Sequence, residues 1–319
     1  MEFDTVEEIC RIHNKGFSEW INSLGILYGY KTVTKSDVEQ WMAPDNSRIL
    51  VAYENNTPIG YLHYQIIKMK GEIREITCLE IIETTEGRGQ SRITVIPEKR
   101  RIGVAEKLLR HVLTFTREHN VDVIIVYAYN KNQTINRILN KLGFIHKRIM
   151  YYPAFSSKIP IAHDTILAEF DLSKEIPVLL YKDEINIREF QYTDLEDLRQ
   201  IFVECRSDML KNLSEREIGN YWIEDNWAEK TFVAEFHGEV VGCMEYNKDG
   251  LIGIPGVKKK HQKKGVASQL LIHLLRDMKS KAYSKALADT GVVLSNAIKL
   301  YRKLQFNISR ELWAWVKTF

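Results

Sequence analysis

Apolar residues recur along this chain in two rhythms, every second position and every third or fourth. The order of the rhythms is the same in both halves. In the second half INIREF (Ile185 to Phe190) alternates as a strand. TDLEDLRQIFVECRSDML opens with Thr193 and Asp194 as capping candidates and continues at helical spacing, and a further helix is expected from about Ser214. TFVAEFHGEVVGCMEY reads as two strands turning at His237-Gly238. After GLIGIPGV a basic turn leads into a helix with Val266, Leu270, Leu271, Leu274, Leu275 and Met278 on one face. A weak or short strand is expected near Lys285 to Asp289, then a helix from Asn296 and a last strand in LWAWV.

The first half repeats these parts. DTVEEICRIH matches the first helix, and ILVAYENNTPIGYLHYQI is a hairpin turning at Asn55-Asn56. SRITVI leads into a second basic turn and a helix with Ala105, Leu108, Leu109 and Val112 on one face. VDVIIVYAY is a strongly apolar strand, followed by a helix from about Gln133 and strands in GFIHKRIMYY and TILAEF. Gly103 to Phe144 and Gly265 to Phe306 both span 41 positions. Gly60 to Gly103 spans 43 and Gly242 to Gly265 only 23, so the first copy carries about 20 extra residues near 68–90. It also has no room for the strand that INIREF supplies. Chain order therefore predicts two domains, 1–172 and 173–319.

Composition narrows the class without deciding it. A chain of 319 residues exceeds a single core of ordinary size, and 45% hydrophobic with 27% charged residues is the balance of a globular protein. A net charge of +3 does not by itself predict a nucleic-acid binder. Cys10, Cys78, Cys205 and Cys243 have no CxxC spacing, so neither a disulfide framework nor a metal site is expected. The acidic start MEFDTVEEIC and the lack of any apolar run near 18 residues predict a cytoplasmic protein with no membrane partner.

The two basic turns share the pattern Arg/Gln-x-x-Gly-x-Ala, with Arg100, Gly103 and Ala105 in one copy and Gln262, Gly265 and Ala267 in the other. Small residues at a helix start let unpaired backbone N–H groups approach an anion at the positive end of the helix dipole. Lys99, Arg100, Arg101 and Lys258, Lys259, Lys260, Lys263, Lys264 add attraction for phosphate. The plain alternative is a solvated charged helix start with a packing glycine, and the duplication weighs against it. Neither copy has a Lys-Ser/Thr pair after the glycine or a G-x-G-x-x-G run, which disfavours nucleotide P-loop and dinucleotide folds.

VIPEKRRIGVAEKLL with NRILNKLGF, and GVKKKHQKKGVASQLL with NAIKLYRKLQF, resemble the GNAT superfamily of N-acetyltransferases in tandem. The resemblance implies an α+β fold: two GNAT-like domains, each a mixed, mostly antiparallel splayed sheet flanked by helices, with a pantetheine arm in the splay. It implies acetyl-CoA held by Val95 and Arg100, Arg101, Ile102, Gly103, Val104, Ala105 in the first copy. The matching set is Val257 and Gln262, Lys263, Lys264, Gly265, Val266, Ala267 in the second. It further implies a tyrosine acid in the helix before the final Gly-Phe. Tyr301 stands there in the second half and Leu139 in the first, which places turnover in the C-terminal half and leaves the N-terminal copy either to bind CoA without turnover or to have become structural. Gln305 replaces the family's glycine and is expected to alter the entry to the last strand. Glu245 is the candidate base; Glu98 reads as structural, and Tyr221, Trp222 and Trp227 as a weak lead to the acceptor site.

The function expected is direct transfer of an acetyl group to a primary amine, carried by a small molecule or a peptide, in a ternary complex. A homodimer stays open. Two other readings stand beside it: a non-catalytic acyl-CoA sensor, and an aminoacyl transferase using charged tRNA held by Lys258 to Lys264.

Overall fold

The computed structural model describes residues 3–24, 32–82, 93–155, 160–179, 185–210, 228–253 and 256–319. They divide into unit 1, Met1–Thr165 with Glu311–Phe319, and unit 2, Ile166–Arg310.

In unit 1 the chain runs through helices α1 (Phe3–Leu24) and α2 (Lys35–Met42), then strands β1 (Ser47–Glu54), β2 (Thr57–Lys70), β3 (Glu75–Ile82) and β4 (Ile93–Val95). Helix α3 (Val104–Glu118), strand β5 (Val123–Tyr129), helix α4 (Gln133–Lys141) and the short strands β6 (Ile145–His146), β7 (Ile149–Met150) and β8 (Ala162–His163) follow. Asn55 and Asn56 turn the β1–β2 hairpin with both φ angles positive, 49° and 60°, a conformation asparagine tolerates. β2 pairs antiparallel with β1, β3 and β4, whereas β3 pairs parallel with β5 over Cys78–Ile82 and Val123–Tyr127. Among the described residues the β3–β5 ladder runs to Ile82, and β4 lies beside β2.

Unit 2 holds β9 (Thr165–Asp171, from Ile166 onward), β10 (Asn186–Glu189), helix α5 (Leu195–Leu210), β11 (Lys230–Phe236) and β12 (Glu239–Tyr246). β13 (Gly256–Val257), helix α6 (Val266–Ser280), β14 (Lys285–Gly291), helix α7 (Ser295–Lys303) and the start of β15 (Asn307–Thr318) complete it. His237 and Gly238 repeat the turn of the first hairpin at φ 52° and 80°, and both hairpins carry a bulge at the same place, after Ala52 and after Ala234. β10, β11, β12 and β13 form one antiparallel sheet, and β14 pairs with β9.

Two strands sit where chain order does not put them. TILAEF, expected in the first domain, is β9 of unit 2, where Ala168 and Phe170 join the core built on Leu270, Leu271 and Leu274. LWAWV belongs to unit 1: Leu312–Thr318 pairs antiparallel with Tyr129–Val123. Trp315 enters the core with Ile135 and Leu139, while Ala314 and Val316 pack on the other face with Val123 and Ile125. Buried Asp164 accepts the Ala314 N–H at 2.9 Å, and Trp315 Nε1 donates to Asn136 Oδ1 at 2.9 Å. Ile124 and Val126 of β5 face the first of these clusters and Val123 and Ile125 the second, so the strand is covered on both faces, which is why its sequence is almost continuously apolar.

Two further expectations are corrected. β14 is neither weak nor short: it has 7 residues, as β5 does, and Ala286, Leu287 and Ala288 are buried. Its alanines lower the hydropathy without lowering the burial. Gln305 does not alter the turn into the last strand. Gly143 and Gln305 are both left-handed, at φ 77° and 62°, and Phe144 N donates to Leu139 O as Phe306 N does to Tyr301 O. A side chain in this conformation costs about 1 kcal/mol over glycine. Gln305→Gly should therefore raise the stability of unit 2 by up to about 1 kcal/mol in denaturant melts, less what the more flexible unfolded chain takes back.

Candidate functional site

Both basic turns are built alike. A short strand (β4 or β13) runs into a single 3₁₀ turn, Pro97–Lys99 or Lys259–His261. Arg101 and Lys263 are left-handed at φ 67° and 63°, and Gly103 and Gly265 again at 87° and 91°. Helices α3 and α6 start directly afterwards, and neither has a side-chain cap, so their first N–H groups are left to a ligand. Arg100 and Gln262 point backwards. Arg100 Nε donates to Val95 O at 3.2 Å and Gln262 Nε2 to Val257 O at 3.1 Å, bracing the turn from within. Val104 and Val266 are buried, so they offer a ligand only backbone.

In unit 1 the turn borders a cavity of about 660 Å³. Its walls include Thr94 and Val95 of β4, Arg100 to Glu106 with the exception of Ile102, and Lys131 to Ile135 at the start of α4. Asn132 caps α4 by accepting the Ile135 N–H. Two helix starts and the cations Arg101 and Lys131 therefore meet one space. Ile102 is exposed at the tip of the turn. At the matching positions of unit 2 Val293 and Leu294 are exposed, and Leu294 gives α7 no side-chain cap. These residues fit a CoA-type ligand: a Cβ built on Gly103 would meet nothing within 4 Å, and the Thr94 hydroxyl is buried without a partner among the described residues.

The lysines of the second turn do not all face outward, as the sequence suggested. Lys258 is buried with Asp197 at 2.9 Å and Glu239 at 3.1 Å, and Lys260 pairs with Glu239 at 2.9 Å. The two lysines hold the Glu239 carboxyl far below its usual range, to about 2. Lys99 likewise pairs with Glu54, and Glu98 with Lys15. Lys258 thus stitches the turn to α5 and the hairpin, which removes one cation from any tRNA-phosphate surface, while Lys260 stays exposed.

Tyr301 lies in the core of unit 2 against Phe306, with ring centroids 5.3 Å apart. Burial, and then the Asp289 charge, push its phenol well above the ordinary range. Leu139 takes the same place in unit 1. Ile138, the residue before it, lines the cavity, and its counterpart is Leu300, the residue before Tyr301. Glu245 is buried on β12, on the face opposite Met244 and Tyr246. Hairpin register gives its unit 1 counterpart as His63, buried with Nε2 2.6 Å from Ser47 Oγ. Tyr221, Trp222 and Trp227 lie outside the described residues. Sequence reading missed Glu80, a carboxyl on β3 raised by burial, and the wall formed by Thr94, Lys131 and Asn132. Of these only Asn132 carried a signal, as a capping residue before a helix. Among the described residues no group of three side chains could hold a metal ion, and no helix is long and apolar enough to cross a membrane.

The family model for the acetyltransferase (GNAT) family matches residues 7–144 and 195–306. The chain belongs to that family. A tandem GNAT protein from the clavulanic acid biosynthesis pathway superposes with a TM-score of 0.63 at 11% identity, covering 99% of this chain and 95% of that one. A GCN5-related N-acetyltransferase from Sphaerobacter thermophilus gives 0.59 at 15% identity, covering 100% and 94%. A glucosamine N-acetyltransferase region of a fungal multi-domain β-N-acetylglucosaminidase gives 0.61 at 13%, covering 98% of this chain and 37% of that one. At such identities the likeness is one of fold. No curated protein matches. Family membership makes this GNAT chain an acyltransferase in general class, and both matched segments contain one of the phosphate-type turns.

Proposed function

We propose that this GNAT protein transfers an acetyl group from acetyl-CoA directly to a primary amine, on a small molecule or a peptide, in the cytoplasm. Unit 2 turns over, and unit 1 holds CoA without turnover. One observation carries the division: Tyr301 and Leu139 occupy the same position of the same helix ending, beside turns of the same build. In each unit the amides at the turn, from about Arg101 to Ala105 and from Lys263 to Ala267, would hold the pyrophosphate. The amine must lose a proton before its nitrogen attacks the thioester carbonyl, and Glu245 is the acceptor proposed. As the C–N bond forms and the C–S bond breaks, the departing thiolate takes a proton from Tyr301.

The test is release of free thiol from acetyl-CoA by the full chain with ethanolamine, spermidine, lysine and glucosamine. Intersecting initial-rate lines with one amine support direct transfer. Tight CoA binding with no thiol release to any of them would favour the sensor reading, which Leu139 supports for unit 1.

A further inference from the structure

Thr94 sits at the middle of β4, facing Tyr61 across the ladder to β2, and is 5% exposed. A Cβ on Gly16 would come within 2.7 Å of the Thr94 methyl, so the methyl packs against α1. Gly16 lines the same cavity as Thr94. Oγ1 is buried and meets no hydrogen-bond partner among the described residues, although Thr94 lines the cavity beside the turn. A buried hydroxyl without a partner is destabilising, and a bound acceptor would relieve it. The matching residue of unit 2 is Gly256, whose Cβ position is occupied by Ile201 at 2.4 Å.

We propose that the Thr94 hydroxyl is a ligand contact of unit 1, donating its hydrogen to a carbonyl oxygen of a bound acyl-CoA, either the thioester or a pantetheine amide. The inference rests on the reading that the unit 1 cavity holds CoA. A hydroxyl at this depth needs an acceptor, and a carbonyl in an otherwise apolar stretch of ligand supplies one. Among the described residues β4 pairs with β2, and the β3–β5 ladder runs as far as Ile82 and Tyr127. Thr94 would hold the arm of the ligand, beyond the reach of the turn that holds its phosphates. Gly256 gives unit 2 no such contact, so the two sites differ in affinity though their turns are alike.

Calorimetry on the full chain carrying Ala267→Glu, which blocks the second turn, would test this with two probes. Acetyl-CoA should bind about three- to tenfold more weakly to Thr94→Val and within twofold of normal to Thr94→Ser, the loss expected for one neutral hydrogen bond. Inorganic pyrophosphate, which reaches only the turn, should bind both variants equally. The Tm of ligand-free Thr94→Val should stay level or rise, because an unsatisfied hydroxyl has been removed. Unchanged acetyl-CoA affinity in Thr94→Val overturns the proposal, as does a parallel loss of pyrophosphate binding or a lowered Tm, which would show a structural hydroxyl. Failure of the parent chain to bind either probe would instead overturn the cavity as a CoA site, and the role of Thr94 with it.

Discussion

Deleting Glu311–Phe319 should unfold unit 1 while unit 2 keeps its core, although the residues removed lie at the far end of the chain. They supply the strand that pairs with β5 from Leu312 to Thr318, and Phe319 N donates to Asp122 O. Trp315 alone, buried against Ile135 and Leu139, represents about 3–5 kcal/mol if truncated. Losing Ala314 and Val316 uncovers the opposite face as well, and Asp164 loses the Ala314 N–H. A domain has about 5–15 kcal/mol in total, so the sum is enough to unfold it. Hydrogen exchange reads the result: amides of β5 should exchange at the rate of unfolded chain, while those of β12 stay protected. Continued protection of Ile124 and Ile125 would show that unit 1 does not depend on this strand. The milder Trp315→Phe keeps most of the packing and loses the bond to Asn136, so it should cost only about 1–2 kcal/mol.

The same strand shows where sequence reading stops. Hairpins at Asn55-Asn56 and His237-Gly238, the two basic turns and the helices behind them were legible because each is fixed by residues within a few positions of one another. Which sheet an apolar strand joins is not local information. TILAEF and LWAWV have interchangeable patterns, and only the packing of Phe170 and Trp315 decides their homes. The equivalence of Gly143 and Gln305 was equally invisible, because Phe144 and Phe306 close the turn by backbone bonds that ignore the side chain. At the site, the turn residues were legible as a motif, yet their wall was not. Thr94 is one β-branched residue in a strand, and nothing in its sequence neighbours tells that its hydroxyl lacks a partner among the described residues.

Lys258 makes a related point about charge. Five lysines between Lys258 and Lys264 read as a basic patch, yet the fold spends Lys258 and Lys260 on Asp197 and Glu239. The matching residue in unit 1 is Ile96, which is buried without any charge. One position at the root of the turn is thus filled by an aliphatic side chain in one copy and by a neutralised lysine in the other. Both solutions hold the turn still and leave its amides to face the ligand.

Tyr301→Phe should lower turnover about a hundredfold while leaving CoA affinity and stability nearly unchanged. The ring keeps its contact with Phe306, so only the hydroxyl is lost. General acids in enzymes contribute about 10²–10⁴-fold, and a water reaching the thiolate would set the lower end of that range. The pH dependence follows from the direction of the shift. Burial holds the Tyr301 phenol above its usual value of about 10, so the acid form persists at every pH below that value. Turnover should therefore rise or stay level from pH 7 to 9 as the amine deprotonates, with no falling limb from Tyr301 in this window. A kcat profile from pH 6 to 10 in both proteins checks this: the two curves should run parallel, about two decades apart. Tyr301→Phe within twofold of the parent would remove Tyr301 from the reaction. A falling limb near pH 8 that disappears in the variant would show the acid ionising far lower than its burial allows, and a limb rising through that range that disappears in the variant would assign Tyr301 the base instead.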